Sequence, residues 1–336
     1  MPYDAPVDND SLFLLNRTAS GLFTLKPNIT RQPCLFYGDS EYHRVLQSSW
    51  CSLSREHYMI ENVLREEFEL TMESHPLYKL FRDGVPTRKQ SVRIVNPFGN
   101  AAAYGFPSPM LLLTSSLAVA AFMATHKRNE TTGGWYAVPE HDENGEVNVG
   151  VLYVMELAMP FPMMLGLSCI GMQAFKRPGV MRLFGQNVGT AENFNEHRMV
   201  TGLQFRQKPS EVKELERLFN MGELLTPDEL IAKKARDILT NRCVSEEAFE
   251  RNLKSNPRDD REENLRRLAN AGVQIESDAK HRFTEEELNR EFYPTAEDEW
   301  NKMFSNVVAV HPGFDKLLYD LQNFPNTENG KKFFRK

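Results

Sequence analysis

The sequence predicts an α+β fold, a mixed β-sheet with helices packed on it, followed by a helical C-terminal region. Three observations carry this expectation. Short β-rich stretches cluster between residues 34 and 206 (CLFYG, GWYAV, VGVLYVMEL, VMRLFGQN and RMVTGLQFR), separated by Gly, Pro or polar segments such as HDENGE. Two helical patterns interrupt them, one amphipathic and one apolar on every side. From Ser210 the texture changes to charged segments well supplied with N-cap residues.

The first thirty residues show no clear period, and Pro27 and Pro33 bracket a connecting segment, so residues 1–30 read as an N-terminal extension. CLFYG at 34–38 reads as a short buried strand ended by glycine. From Glu56 to Met72 the residues Ile60, Val63, Leu64, Phe68 and Met72 recur at helical spacing, with Glu and Arg between them. That pattern is an amphipathic helix lying on the core. A second helix should run from Ser115 to about Lys127; its run LAVAAFMA is small and apolar all round, as in a helix sandwiched inside a domain, and its serines sit where an N-cap belongs. Phe122 should therefore be fully buried. The segments SEVKELERLF, TPDELIAKKARDIL, SEEAFERNLK, DDREENLRRLANAG, TEEELNREF and AEDEWNKMF supply the C-terminal helices. The division expected is a domain over 31–240, with one mixed sheet within about 30–210, and a separate helical layer over 241–336.

Composition bounds the function. With 41% hydrophobic and 26% charged residues over 336 positions, the chain has enough apolar side chains for a core and is not of the disordered type. A net charge of −6 gives no field that gathers along a phosphate backbone, so nucleic acid is not an expected partner. Cys34, Cys51, Cys169 and Cys243 lack the short paired spacings of a zinc site and read as buried reduced thiols. His57 and His197 stand apart from any ligand spacing, so no metal site is expected. The acidic start MPYDAPVDND lacks the basic region of a signal peptide, and no apolar run approaches the roughly 20 residues of a membrane span. The expected setting is the reducing cytoplasm, with no membrane association.

One stretch resembles a known family. AYGFPSPMLLLTSSLAVAAFMA, residues 103–124, is similar to the central motif of FRG domains: a Gln-His-Tyr-Gly turn, a Pro-Thr pair, an apolar strand ending in Asp-x-Thr, and an Ala/Phe-rich helix. Tyr104, Gly105, Pro107, Thr114, Ala120, Phe122 and Ala124 fall in register. WCSLSR at 50–55, FYG at 36–38 and RLFGQNVG at 182–189 resemble other family segments in the family's order, and LLTPDELIAKKARDIL resembles its closing helix. The resemblance covers about residues 30–240. Three polar family positions are changed: the arginine of the FRG triplet is Tyr37, the histidine before Tyr-Gly is Ala103, and the aspartate before the threonine is Leu112. A guanidinium holds phosphate or carboxylate in a bidentate way that tyrosine and leucine cannot supply.

The strand-to-helix element Thr114, Ser115, Ser116 also looks like the Ser-Thr-Ser element of ADP-ribosyltransferases, a likeness at the level of fold. It implies a ligand pocket formed by Tyr37, Tyr104, Thr114, Ser115, Ser116, Arg182 and Gln186, and it leaves the catalytic residues unassigned. Two readings follow. The first is an FRG-like module with a degenerate pocket, recognising a nucleotide-like ligand or a protein partner, with the helical C-terminal region as an interaction surface. The second is an enzyme that transfers ADP-ribose or cleaves NAD, with NAD as cofactor, Thr114, Ser116 and Gln186 beside it, and Arg182 in place of the missing cation. Each group also has a purely structural account. Thr114, Ser115 and Ser116 can cap orphan N–H groups. Tyr37 and Tyr104 can be core aromatics with a hydroxyl at the rim. Arg182 can extend to solvent, and Gln186 can mark a bulge.

Overall fold

The structure, a computed structural model, describes residues 13–17, 23–27, 34–88, 91–92, 95, 97–114, 116–129, 134–156, 183–187, 200–223, 225, 229–305 and 315–334. The fold is α+β. Within the segment read as an extension, β1 (Phe13–Arg17) and β2 (Phe23–Pro27) pair as an antiparallel hairpin. The central strand β3 (Cys34–Asp39) continues one residue past Gly38. Then come α1 (Arg55–Glu73), α2 (Pro76–Asp83), the short pair β4 (Val85–Pro86) and β5 (Ser91–Val92), and α3 (Pro97–Ala103). The motif-bearing part is β6 (Met110–Thr114), α4 (Leu117–Thr125), β7 (His126–Arg128) and β8 (Trp135–Ala137). After it run β9 (Val149–Glu156), β10 (Leu183–Asn187) and β11 (Val200–Arg206).

The helical part comprises α5 (Pro209–Leu218), α6 (Leu230–Asn241), β12 (Cys243–Ser245), α7 (Glu246–Ser255), α8 (Arg261–Asn270) and β13 (Gln274–Glu276). It ends with α9 (Glu285–Glu291), α10 (Ala296–Ser305), α11 (Asp315–Asn323) and α12 (Glu328–Phe334).

Five strands form the central sheet in the order β10-β6-β3-β9-β11, and every pairing in it is antiparallel. The expectation of a mixed sheet is thus corrected: alternation of residue types reports strands but not the direction in which they pair. GWYAV does not join this sheet. The chain leaves α4 directly into β7, and β8 pairs back on β7 as a separate two-stranded ribbon.

α4 lies across the sheet at backbone contact distance. A Cβ on Gly38 would stand 1.8 Å from the Ala120 carbonyl oxygen, and one on Gly150 would stand 2.7 Å from that of Ala124. Only glycine at both positions lets the helix settle there. Phe36, Ala120, Ala124, Leu152 and Val154 fill the resulting layer. On the other side of the helix Val119 and Phe122 pack with Phe219 and Leu225. An all-round apolar helix is what this sandwiched position requires. Phe122 has no exposed surface, as the sequence led us to expect.

The largest core joins α1 to helices on both sides of residue 240. Phe68, Phe81 and Phe106 share it with Ile238, Phe249 and Trp300. The helices after 240 therefore do not form a separate layer. The Glu/Arg face of α1 is not a solvent face either: Asn62, Arg65, Glu66, Glu67 and Glu69 are all buried. Helix α7 begins directly over it. Ser245, its N-cap, accepts from Ala248 N–H while its own N–H and hydroxyl donate to Glu67 Oε2 at 2.8 and 2.5 Å. Glu61 pairs with Arg242, and Glu73 with Arg82 and Arg251. Buried charge is tolerated only when matched in this way. The parallel pair β12–β13 also places strands in the C-terminal third, where only helices were expected.

Replacing Phe122 by alanine should lower stability by about 3–5 kcal/mol, as large core truncations do, read from urea denaturation midpoints. A loss under about 1 kcal/mol would show the helix to be peripheral. Gly38→Ala, which adds a single methyl, should cost about 3 kcal/mol or more because the obstacle is backbone that cannot rotate away. Unchanged stability would contradict the close approach of α4.

Candidate functional site

The ribbon β7–β8 and the end of β3 face one another across an open cleft of about 750 Å³. On the ribbon, Lys127 stands opposite Tyr136 and Arg128 opposite Trp135 in the strand register, placing each cation beside an aromatic ring. All four line the cleft. Trp135 meets Phe122 edge-on at 5.4 Å, and Gly222, at φ +87°, lies so close that a Cβ would be 2.3 Å from the indole. The indole is thereby wedged, while Tyr136 keeps about half its surface exposed at 48%.

The facing wall is a hydrogen-bonded knot around Asp39. The Tyr37 hydroxyl donates to Asp39 Oδ2 at 3.1 Å, a ring nitrogen of His43 reaches the same oxygen at 3.1 Å, and Glu41 N–H donates to Oδ1 at 3.1 Å. The Tyr37 ring packs 5.9 Å from Tyr153, whose hydroxyl accepts from His43 N–H. Burial, and then the Asp39 charge, push the Tyr37 phenol far above the ordinary tyrosine range, so it remains a protonated donor. Lys127 pairs with Glu41 across the cleft, which holds the Glu41 carboxyl below its usual range. Burial, with Arg236 nearby, holds the Arg128 guanidinium below the ordinary arginine range.

His126 forms the floor. Its ring stacks on Phe122 at 3.9 Å, with Nδ1 at 2.9 Å from Thr125 Oγ1 and 3.0 Å from the Phe122 carbonyl. Nε2 lies 3.8 Å from Glu216. Burial holds this imidazole below its usual range, against the opposing pull of Phe122 and Glu216.

Of the residues expected in a ligand pocket, Tyr37 lies on this cleft. Tyr104 is buried elsewhere, packed on Phe68 with its hydroxyl donating to Glu229 at 2.6 Å. Thr114 Oγ1 accepts from Ser116 N–H at 3.1 Å, and Ser116 Oγ caps α4 by accepting from Val119 N–H at 3.3 Å. Both hydroxyls do the work of a strand-to-helix junction. Gln186 is placed by its backbone opposite Leu111 on β6. Ser115 and Arg182 lie outside the described residues, as do His197 and Cys169. His57 serves the N-cap of α1 through a 2.7 Å contact with Ser54. Cys51 and Cys243 are free and half-buried rather than fully buried; burial and then Glu276 push the Cys243 thiol up to about 11.

The cleft residues that sequence reasoning did not single out include Asp39, Glu41, His126, Lys127, Arg128, Trp135 and Tyr136. Their signal was present as the run HKR directly after the apolar helix and the aromatic pair in GWYAV, but nothing in a single sequence pairs the two. Among the described residues, no helix is long and apolar enough to cross a membrane, and no cluster of His, Cys, Asp or Glu has the arrangement of a metal site. A scan against protein families, a search of curated proteins and a search of solved structures each returned no match.

The depressed His126 imidazole sets a pH dependence. Between its folded value and the unfolded value near 6.5, the unfolded chain binds the proton and the folded chain does not, so acid favours unfolding. The stability from this group is complete above about pH 6.5 and falls as pH drops below it. In His126→Gln, the loss of urea midpoint between about pH 7.5 and about pH 5.5 should be smaller than in the parent chain. An identical loss would contradict the assignment.

Proposed function

We propose that the chain is an FRG-like module whose cleft binds a nucleotide-like small molecule, the base on Tyr136, the phosphates toward Lys127 and Arg128, and a ribose hydroxyl on Asp39. One observation carries the reading: two cation–aromatic pairs in strand register line the same cleft as the Asp39 knot. A base needs a π-face and phosphates need cations, and this cleft offers both within one ribbon. The family assignment rests on the order of motifs along the sequence. The free thiols Cys51 and Cys243 fit a reducing, cytoplasmic setting.

Calorimetry with ADP, ADP-ribose and NAD tests the proposal. Binding in the micromolar range, about −8 kcal/mol, is expected. Tyr136→Ala should weaken it by about 1–3 kcal/mol through lost stacking, and Arg128→Ala by about 1.5–3 kcal/mol. No binding at millimolar ligand by folded protein would remove the reading. Release of nicotinamide from NAD on incubation would replace it with the NAD-consuming enzyme.

A further inference from the structure

His126, at the floor of the cleft, is built as a proton site. Thr125 Oγ1 donates to the Ala121 and Phe122 carbonyls at 3.0 and 3.1 Å, so its hydrogen is not available to the imidazole, and the Phe122 carbonyl can only accept. Nδ1, 2.9 Å from that hydroxyl and 3.0 Å from that carbonyl, therefore carries the hydrogen of the neutral ring. Nε2 is then a bare lone pair. It is buried with no hydrogen-bond partner among the described residues, and it faces the Glu216 carboxylate, a second acceptor, at 3.8 Å. Two buried acceptors turned on one another call for a donor between them. The gap is too short for a water molecule but closes readily on a proton, which converts the contact into an ion pair.

The surroundings make that proton conditional. Phe122, stacked parallel on the ring at 3.9 Å, offers a π-face to an imidazolium. Against it stands burial, which holds the imidazole below its usual range, so the ring is neutral at pH about 7. Lys127 and Arg128, the next two residues of β7, line the same cleft and add like charge beside it. On the facing wall Glu41 is paired with Lys127, and Asp39 with His43. On α5, Glu214 and Arg217 pair with each other at the surface, and Glu216 is the charge turned toward the ring. A ligand whose phosphates settle on Lys127 and Arg128 would reverse the sign of the charge next to His126.

We propose that the cleft binds its phosphate-bearing ligand together with a proton, which His126 Nε2 takes up and shares with Glu216. The inference rests on the nucleotide reading of the cleft and adds its regulation. Coupling between two bound species is reciprocal, so a ligand that draws in the proton is itself held more tightly as the pH falls below about 6.5. The test is calorimetry on the full chain with ADP-ribose, whose phosphates exchange no proton in this range, in two non-phosphate buffers of different ionisation enthalpy, so that the difference in apparent heat counts protons. At about pH 6, uptake of about half a proton or more per ligand is expected, with affinity about threefold or more above that at about pH 8. His126→Gln should abolish the uptake and Glu216→Gln should reduce it, whereas His43→Gln, at the imidazole on the Asp39 knot, should retain it. Binding without proton uptake, or uptake that survives both His126→Gln and Glu216→Gln, would overturn this proposal and leave the nucleotide reading standing. Absence of ADP-ribose binding at either pH would overturn both.

Discussion

The contact on which the arrangement depends is that between helix α4 and the sheet beneath it. At Gly38 on β3 and Gly150 on β9 no side chain separates strand from helix, and the Ala120 and Ala124 carbonyls lie where a Cβ would clash. Close approach of this kind converts a helix into a fixed ledge. Because α4 is held at that height, the chain leaving Thr125 enters β7 as an edge over the end of β3 rather than as another strand of the sheet. Gln207 finishes the ledge by donating to the Ala124 carbonyl, one of the acceptors that a helix end leaves open. The cleft is the gap that remains between the ribbon and the end of β3.

A second constraint joins the two parts of the chain. Helix α1 is buried on its charged side as well as its apolar side: Arg65 and Glu66 pair within the helix, Glu69 meets Tyr78 and Arg82 of α2, and the C-terminal part supplies Asn252 to Asn62 and Ser245 to Glu67. Glu67 receives the first N–H and the cap hydroxyl of α7, at the end of a helix where the aligned peptide dipoles favour a negative group. Such pairs add little over a well-packed apolar contact, but a single partner lost leaves a buried charge. They therefore fix which helix sits where. Trp300, donating to the Leu321 carbonyl at 2.9 Å and packed between Phe81 and Phe324, does the same with aromatic surface for α2, α10 and α11.

Much of this was legible in the sequence wherever a local pattern decides a local structure. The strand at CLFYG, the helix from about 56 to 72, the sandwiched LAVAAFMA helix and the helices from α5 to α10 follow from periodicity, with side-chain caps present on α7, α8 and α9 but not on α5 and α6. Pairing direction, the ribbon partner of GWYAV and the burial of the α1 charges depend on what another part of the chain brings. The same limit applied to the site. Thr114 and Ser116 were legible as hydroxyls at a junction, and the structure gives them capping partners there. Lys127 and Tyr136 become a pair only when the two strands come into register. Asp39 gained its meaning from Tyr37, His43 and Glu41 gathering on it.

A cleft created by backbone contact should accept a ligand with little rearrangement of its floor, because α4 sits directly against the strand backbone at Gly38 and Gly150. Amide chemical-shift mapping during titration with ADP tests this most directly. The account predicts perturbations confined to residues 37–43, 123–129 and 134–137, with the amides of the α1–α7 contact unmoved. Perturbations centred on Tyr104 and Glu229 or on the α1–α7 contact, with the ribbon silent, would contradict it.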